Sequence, residues 1–348
     1  MISKRTDAKK ALQAIPQIPF STLIEPRKHK KAEGQPIIGG VAYTRFPRNA
    51  LGMGIRDSID CTWRVAHMLQ TKMAPSSAVL RPYVWAYGMT TGLVGSVPLV
   101  IPLPARPKQL LTFSFADPYC IRRPGSDHSD ASPRVTVVGP QTHARAGLSV
   151  CGRIDNFTIH FQPSGFNRLF GIPMTELTDA AYDAYAVIGP EIPRLEHELG
   201  DTPLFAERIQ LIEERLIRRL ACHSTLDPVA IAANSLFASN GIHRVSAMAT
   251  DAGLSPRQFE RRFLAQVGVP PKLYARIIRF NAALDHKLRW PSREWSRIAN
   301  DHDFYDQMHL VHDCRAFTGE SPSRFLAHLE GVPEFHTFFA TEDRPRRA

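Results

Sequence analysis

Paired cysteines, clustered metal ligands and long apolar runs are all missing from this sequence, and each absence excludes something. The five cysteines, Cys61, Cys120, Cys151, Cys222 and Cys314, are scattered with no Cys-x-x-Cys pair. That spacing predicts free, mostly buried thiols in a reduced cytoplasmic setting, not a disulfide framework. No apolar run approaches the roughly 18 to 20 residues that span a bilayer. The charged opening Met1 to Lys10 has no apolar block behind it, so neither a membrane span nor a secretory signal is expected. His143 and His160 stand without the clustered His-x-His and following Glu that would build a metal centre. Gly88, Gly92 and Gly95 miss the G-x-G-x-x-G spacing, and no phosphate-loop lysine is present. No nucleophile, base and metal set converges, so the reading is non-enzymatic and no cofactor is expected.

What is present is ordinary in bulk and uneven in detail. With 348 residues, 43% hydrophobic and 22% charged, the chain is long enough for two domains with separate cores. Its net charge of +10 points to an anionic partner. The charge is unevenly placed: residues 241 to 290 hold nine Lys/Arg against three Asp/Glu, whereas 291 to 330 hold four against seven. Residues 1 to 40 are basic, densest at Arg27 to Lys31, with few apolar positions, which predicts a disordered extension. Trp63, Val65 and Met68 fit one helix face.

Between Tyr83 and Gln162 the text is that of strands. Leu99 to Ile101, Leu110 to Phe115, Val135 to Val138 and Phe157 to Phe161 are short β-favouring runs separated by Pro, Gly and Asp. Such spacing predicts a small antiparallel barrel or sandwich. Phe113, Phe115, Phe157 and Phe161 would either wall a small-molecule effector site or form that domain's core. Beyond Gly171-Ile172-Pro173 the pattern turns helical, with Phe205, Ile209, Ile212, Leu216 and Leu220 on one stripe. Residues 222 to 227 are the best interdomain boundary, followed by a helix from Pro228 to Ala238 ended by Asn240-Gly241.

One short helical pattern is then written twice. The first copy runs from Met248-Ala249 through Gly253-Leu254-Ser255 to Phe259 and Phe263, closing on Gly268 and Pro271. The second runs from Ile298-Ala299 through Asp303-Phe304 and Asp306 to Leu310 and Cys314, closing on Gly319 and Pro322. Each copy has the grammar of a helix-turn-helix. Ser255 caps the second helix of the first copy, with Pro256 at its first position and Gln258 completing a capping box; Asp306 caps its counterpart. With Phe259/Phe263 and Leu310/Cys314 inward, the outward faces carry Arg257, Gln258, Glu260 and Arg261 in one copy and Gln307, Met308, His309 and His312 in the other. Such side chains are suited to reading base edges in double-stranded DNA. His309 and His312 also have a spacing that could share a metal, though a polar DNA-facing surface explains them better.

The last hundred or so residues resemble the AraC/XylS family of transcription regulators. The resemblance is carried by Ala249, Gly253, Leu254-Ser255, Phe259, Arg262-Phe263, Gly268 and Tyr274. It continues at Arg279, Ala282-Ala283 and Leu284, then at Ile298-Ala299, Phe304 to Gln307, His309, Phe317 to Gly319 and Ser321 to Ser323. More loosely, Val138 to Thr142 and Phe161 to Phe166 resemble segments of sensor domains found on some of these regulators.

The resemblance implies an α+β multidomain protein: an amino-terminal cupin-like antiparallel β-barrel with helices, and a carboxy-terminal all-α domain of seven helices. The recognition helices of that domain enter successive major grooves, roughly 34 Å apart. The expected divisions are 1–40 as the basic extension, 41–222 as the sensor and dimerisation domain, 223–332 as the DNA-binding domain and 333–348 as a tail. The resemblance further implies an activator that works with RNA polymerase, a homodimer seamed by the helices before residue 222, and a small-molecule effector. A DNA-directed enzyme with a helix-turn-helix module, and a regulator whose amino-terminal half binds only protein, stand as alternatives.

Four positions depart from the family pattern. Asp303 stands where Gly is usual at a left-handed turn position, a cost of roughly 1 kcal/mol. Cys314 and Leu310 stand where bulkier residues are usual, which predicts looser packing, and His312 stands where Arg is common, which predicts weaker base contact.

Overall fold

The computed structural model describes residues 69–122, 129–144, 146–220 and 227–329, all within one unit, Thr62–Ala348. The expectations for residues 1–40, for the helix face at Trp63, Val65 and Met68, for Cys61 and Cys222, for the boundary at 222–226 and for the tail lie outside the described residues.

Two long strands organise the amino-terminal part. Strand β2 (Val84–Leu103) pairs antiparallel with β7 (Ala146–Phe161), from Val84↔Phe161 to Leu103↔Ala146. The register is irregular between Val94 and Leu99, where Pro98 has no N–H to give to the ladder. Around this ribbon lie β1 (Leu69–Pro75), β3 (Leu110–Ser114), β6 (Val135–Val138) and β8 (Ala181–Asp183), in the order β1-β2-β7-β3-β6-β8. The short strands β4 (Cys120–Arg122) and β5 (Ser129–Ala131) branch from β7. Every pairing is antiparallel. The expected antiparallel β domain is present, and among the described residues its edge strands β1 and β8 do not pair to close it.

The two ends of the β2–β7 ribbon bury different surfaces. At one end Val84, Tyr87, Phe157, Ile159 and Phe161 join Phe113 from β3 in a core. Helices α1 (Gly165–Phe170), α3 (Glu191–Gly200) and α4 (Phe205–Leu220) contribute Phe166, Leu199, Ile212 and Leu216 to it; the short α2 (Ala184–Ile188) lies between α1 and α3 in the chain. Phe113, Phe157 and Phe161 are core residues at no more than 1% exposure. The stripe of α4 also turns inward: Arg208, buried among it, grips Asp155 of β7 with two bonds of 2.7 and 3.2 Å and lies over the Phe115 ring. The large apolar residues that α4 and the residue before it leave outward are Leu204 and Ile217.

At the other end Val94, Leu99, Ile101, Val150 and Ile154 pack into the carboxy-terminal helices beside Phe237, Phe280, Phe317 and Leu329. Those helices number seven among the described residues: α5 (Pro228–Ala238), α6 (Val245–Asp251), α7 (Pro256–Val267), α8 (Pro271–Arg289), α9 (Trp295–Asp301), α10 (Gln307–Thr318) and α11 (Pro322–Leu329). Helix α5 starts on Asp227, whose carboxylate accepts from Val229 N–H, and ends at Asn240 (φ 56°) and Gly241 (φ 80°), as expected.

The seam between sheet and helices is polar as well as apolar. In the loop after β2, Ala105 N–H donates to the Phe317 carbonyl at 2.8 Å, and the Ala105 carbonyl accepts from Asn281 Nδ2 at 3.1 Å. Lys108, in the same loop, holds its ammonium 3.4 Å from the Trp85 ring centroid, and burial lowers its pKa to about 7 against the pull of Asp285. Burial likewise lowers Arg106 to about 10. His160 is held neutral, first by burial and then by Lys108 and Arg106. A second seam lies at Gly268, whose carbonyl accepts from Thr178 Oγ1 at 2.7 Å.

Candidate nucleic-acid interface

Both halves of the doubled pattern fold as helix, turn, helix. In the first, α6 ends at a turn where Gly253 takes φ 65°, and Ser255 opens α7 with a complete capping box. Its hydroxyl accepts from Gln258 N–H at 3.3 Å, while Gln258 Oε1 accepts from Ser255 N–H at 3.2 Å. Phe259, Phe263 and Val267 are buried, so the helix turns Arg257, Gln258, Glu260 and Arg261 outward. Of these, Gln258 has its amide oxygen committed to the cap.

In the second, Asp303 takes φ 58°, the counterpart of Gly253, and Arg279 donates to its carbonyl at 3.1 Å. The left-handed turn anticipated for this position is there, filled by one of the residue types that tolerates it. Asp306 caps α10 by accepting from His309 N–H at 2.7 Å. Leu310, Cys314 and Phe317 are buried; Gln307, Met308 and His312 are exposed. His309 is half-buried with its ring edge-on to Phe304 at 5.5 Å, so its side chain supports the turn while Met308, at 66% exposure, stands clear. Tyr305, at 93% exposure, is a surface residue that sequence reasoning did not assign; its place directly before the cap was the available signal. The Cys314 thiol is a core group, pushed up to about 11 by burial and bonded toward Thr318, which leaves it unreactive.

Much of the positive charge in this region is structural. Arg262 pairs with Asp227, Arg276 with Asp313, Arg279 with Asp303 and Arg289 with Asp285. Outside those pairs, the exposed arginines and lysines of 241–290 are Arg244, Arg257, Arg261 and Lys272. All four belong to the first unit or to the start of α8. No helix among the described residues is long and apolar enough to cross a membrane.

Residues 248–328 match a sequence family described as a helix-turn-helix domain. A search of curated proteins returned no significant match. Among solved structures, the chain is similar to ToxT from Vibrio cholerae, at 10% identity over 75% of this chain and 98% of that one, with a TM-score of 0.39. It is also similar to an unsaturated fatty acid-bound wild-type ToxT from Vibrio cholerae strain SCE256, at 9% identity over 76% and 97%, with a TM-score of 0.39. A hydroxyethylphosphonate dioxygenase mutant matches at 11% identity over 70% and 47%, with a TM-score of 0.18. At such TM-scores the overlaps are loose, and the helix-turn-helix assignment rests on the family match and on the doubled geometry above.

Proposed function

We propose that this protein, whose residues 248–328 match a helix-turn-helix domain, is a sequence-specific transcription regulator of the AraC type that reads two adjacent half-sites of double-stranded DNA. One observation carries the reading: α7 and α10 are each opened by a side-chain cap, buried on one face and polar on the other. Arg257 and Arg261 are assigned to guanine edges, Gln307 to adenine, and Met308 with Tyr305 to apolar contact with thymine methyl groups. Glu260 and His312 flank these contacts, and Arg244 and Lys272 neutralise phosphates. Gln258 and His309 act by holding the start of each helix.

The finer parts of the reading follow from the family. The protein is an activator that engages RNA polymerase in the cytoplasm, and it responds to a small-molecule effector. Support for the effector's place is the seam, where Lys108 is buried over Trp85 of β2 and within the field of Asp285 on α8, with Arg106 buried two residues away in the same loop. Self-association as a homodimer would use the outward residues Leu204 and Ile217, because the rest of the α4 stripe is spent on its own domain. Sedimentation of the full chain measures that directly.

The function is tested by mapping bound sites genome-wide, then titrating the purified chain against the recovered duplexes and against random duplex. Preference for the recovered sites, weakened by Arg261→Ala, is the expected result. Equal affinity for recovered and random duplex would overturn the reading.

A further inference from the structure

The two helix-turn-helix units are joined by one helix, α8, yet each is also bonded to the amino-terminal domain at its own point. On the first unit, the hydroxyl of Thr178 donates to the carbonyl of Gly268, which ends α7. The fit is close: a Cβ on Gly268 would lie 2.6 Å from Thr178 Oγ1, 2.9 Å from the Met174 carbonyl and 3.0 Å from Pro140. On the second unit, Ala105 N–H caps the carbonyl of Phe317 in the last turn of α10. The same Ala105 offers its carbonyl to Asn281 of α8, a residue at 4% exposure whose amide also reaches its own helix at Ile277. Ala105 therefore bridges the connecting helix and the second recognition helix through both of its backbone polar groups.

A buried backbone bridge of this kind has a cost if broken, because its N–H and carbonyl would lose partners away from water. Two loops of the amino-terminal domain hold the recognition helices, Thr178 at the end of α7 and Ala105 at the end of α10. Two recognition helices fixed to one rigid body have one separation and one relative angle. On DNA that geometry is read as half-site spacing, since each inserted base pair moves the second half-site by about 3.4 Å and turns it by about 35°.

We propose that the amino-terminal domain sets the half-site spacing this protein accepts, with Asn281 and Thr178 as the positioning residues that transmit it. The proposal rests on the DNA-reading function above and deepens it. Neither residue lies on the outward face of α7 or α10, so neither is assigned to contact DNA.

The test uses the full chain. Duplexes enriched by the wild type from a random pool define the site; affinity is then measured for that site, for the same site with one or two base pairs inserted between half-sites, and for an isolated half-site. The wild type should lose about tenfold on a single insertion, on the scale of one mismatched base pair. Asn281→Leu removes the donor and keeps the bulk, and should cut that loss to about threefold or less with isolated half-site affinity unchanged. Thr178→Val makes the same test from the other unit with a smaller change, so a folding defect in one variant leaves the other decisive. Equal insertion penalties in the wild type and Thr178→Val, or in the wild type and a folded Asn281→Leu, would overturn the proposal and leave the DNA-reading function standing. A wild type that enriches no sequence would overturn both.

Discussion

The guanidinium of Arg276 on α8 donates to the carboxylate of Asp313 on α10 at 2.6 Å, and the Asp313 side chain has no exposed surface. Its second oxygen has no hydrogen-bond partner among the described residues. A buried carboxylate is tolerated through its partner, and removing the partner alone leaves the charge uncompensated. Arg276→Met should therefore destabilise the chain by about 3 kcal/mol, the low end for a buried pair because Arg276 is 37% exposed. Arg276→Met with Asp313→Leu should recover most of that loss in urea unfolding. A double variant no better than the single would remove the pair from the account.

The glycines that end the two recognition helices make a controlled comparison. Gly268 (φ 89°) and Gly319 (φ 78°) are both left-handed, but a Cβ on Gly319 meets nothing within 4 Å whereas one on Gly268 meets Thr178, Met174 and Pro140. Gly319→Ala should cost about 1 kcal/mol for backbone conformation alone. Gly268→Ala should cost clearly more, with the excess measuring the seam. Thermal unfolding of the two variants side by side gives the difference; equal shifts would mean the seam contributes nothing there.

Base reading should be unequal between the units. Arg261→Ala is expected to cost about 1 to 3 kcal/mol on the enriched site and to relax preference at one position. His312→Ala should cost less, because its unit is acidic overall and its imidazole stands beside the Asp313 carboxylate at 3.9 Å. Competition titrations against single-base variants of the site decide the order, and a larger loss for His312→Ala would reverse it.

Lys108 gives the stability a pH dependence of known sign. Its folded pKa of about 7 lies below the ordinary 10.5, so between those values the unfolded chain binds a proton the folded chain has released. This lysine therefore makes stability rise with pH across that window, with its full penalty present below pH 7. Lys108→Met should be more stable than the wild type at about pH 6.5, and the gap should shrink toward about pH 9.5. A gap that does not change with pH would mean the ammonium is not the buried group it is in this structure.

The parts of the fold that were legible in the sequence are those written within one or two turns. Ser255, Asp306, Gly268 and Gly319 cap and close the helices they were expected to, because a cap and its helix are neighbours in the chain. The four β-favouring runs lie in β2, β3, β6 and β7, but the lengths of β2 and β7 were hidden by Gly92, Gly95, Pro98, Gly147 and Gly152, which read as breaks. The seam was not legible at all. Arg106 and Lys108 sit in a proline-rich loop with the composition of a surface turn, and what buries them comes from far along the chain; Ala105 meets Asn281 across 176 residues. The stripe of α4 was legible as apolar, but periodicity does not say which surface it meets, and it meets its own sheet.

The central claim is that one chain reads two half-sites with α7 and α10, and enrichment of random duplexes by the full-length protein tests it most directly. The account predicts a bipartite sequence whose halves are centred about one helical turn apart, roughly 34 Å, with the Arg261 half the more strongly specified. Enrichment of a single short site, or of no sequence above random duplex, would contradict it.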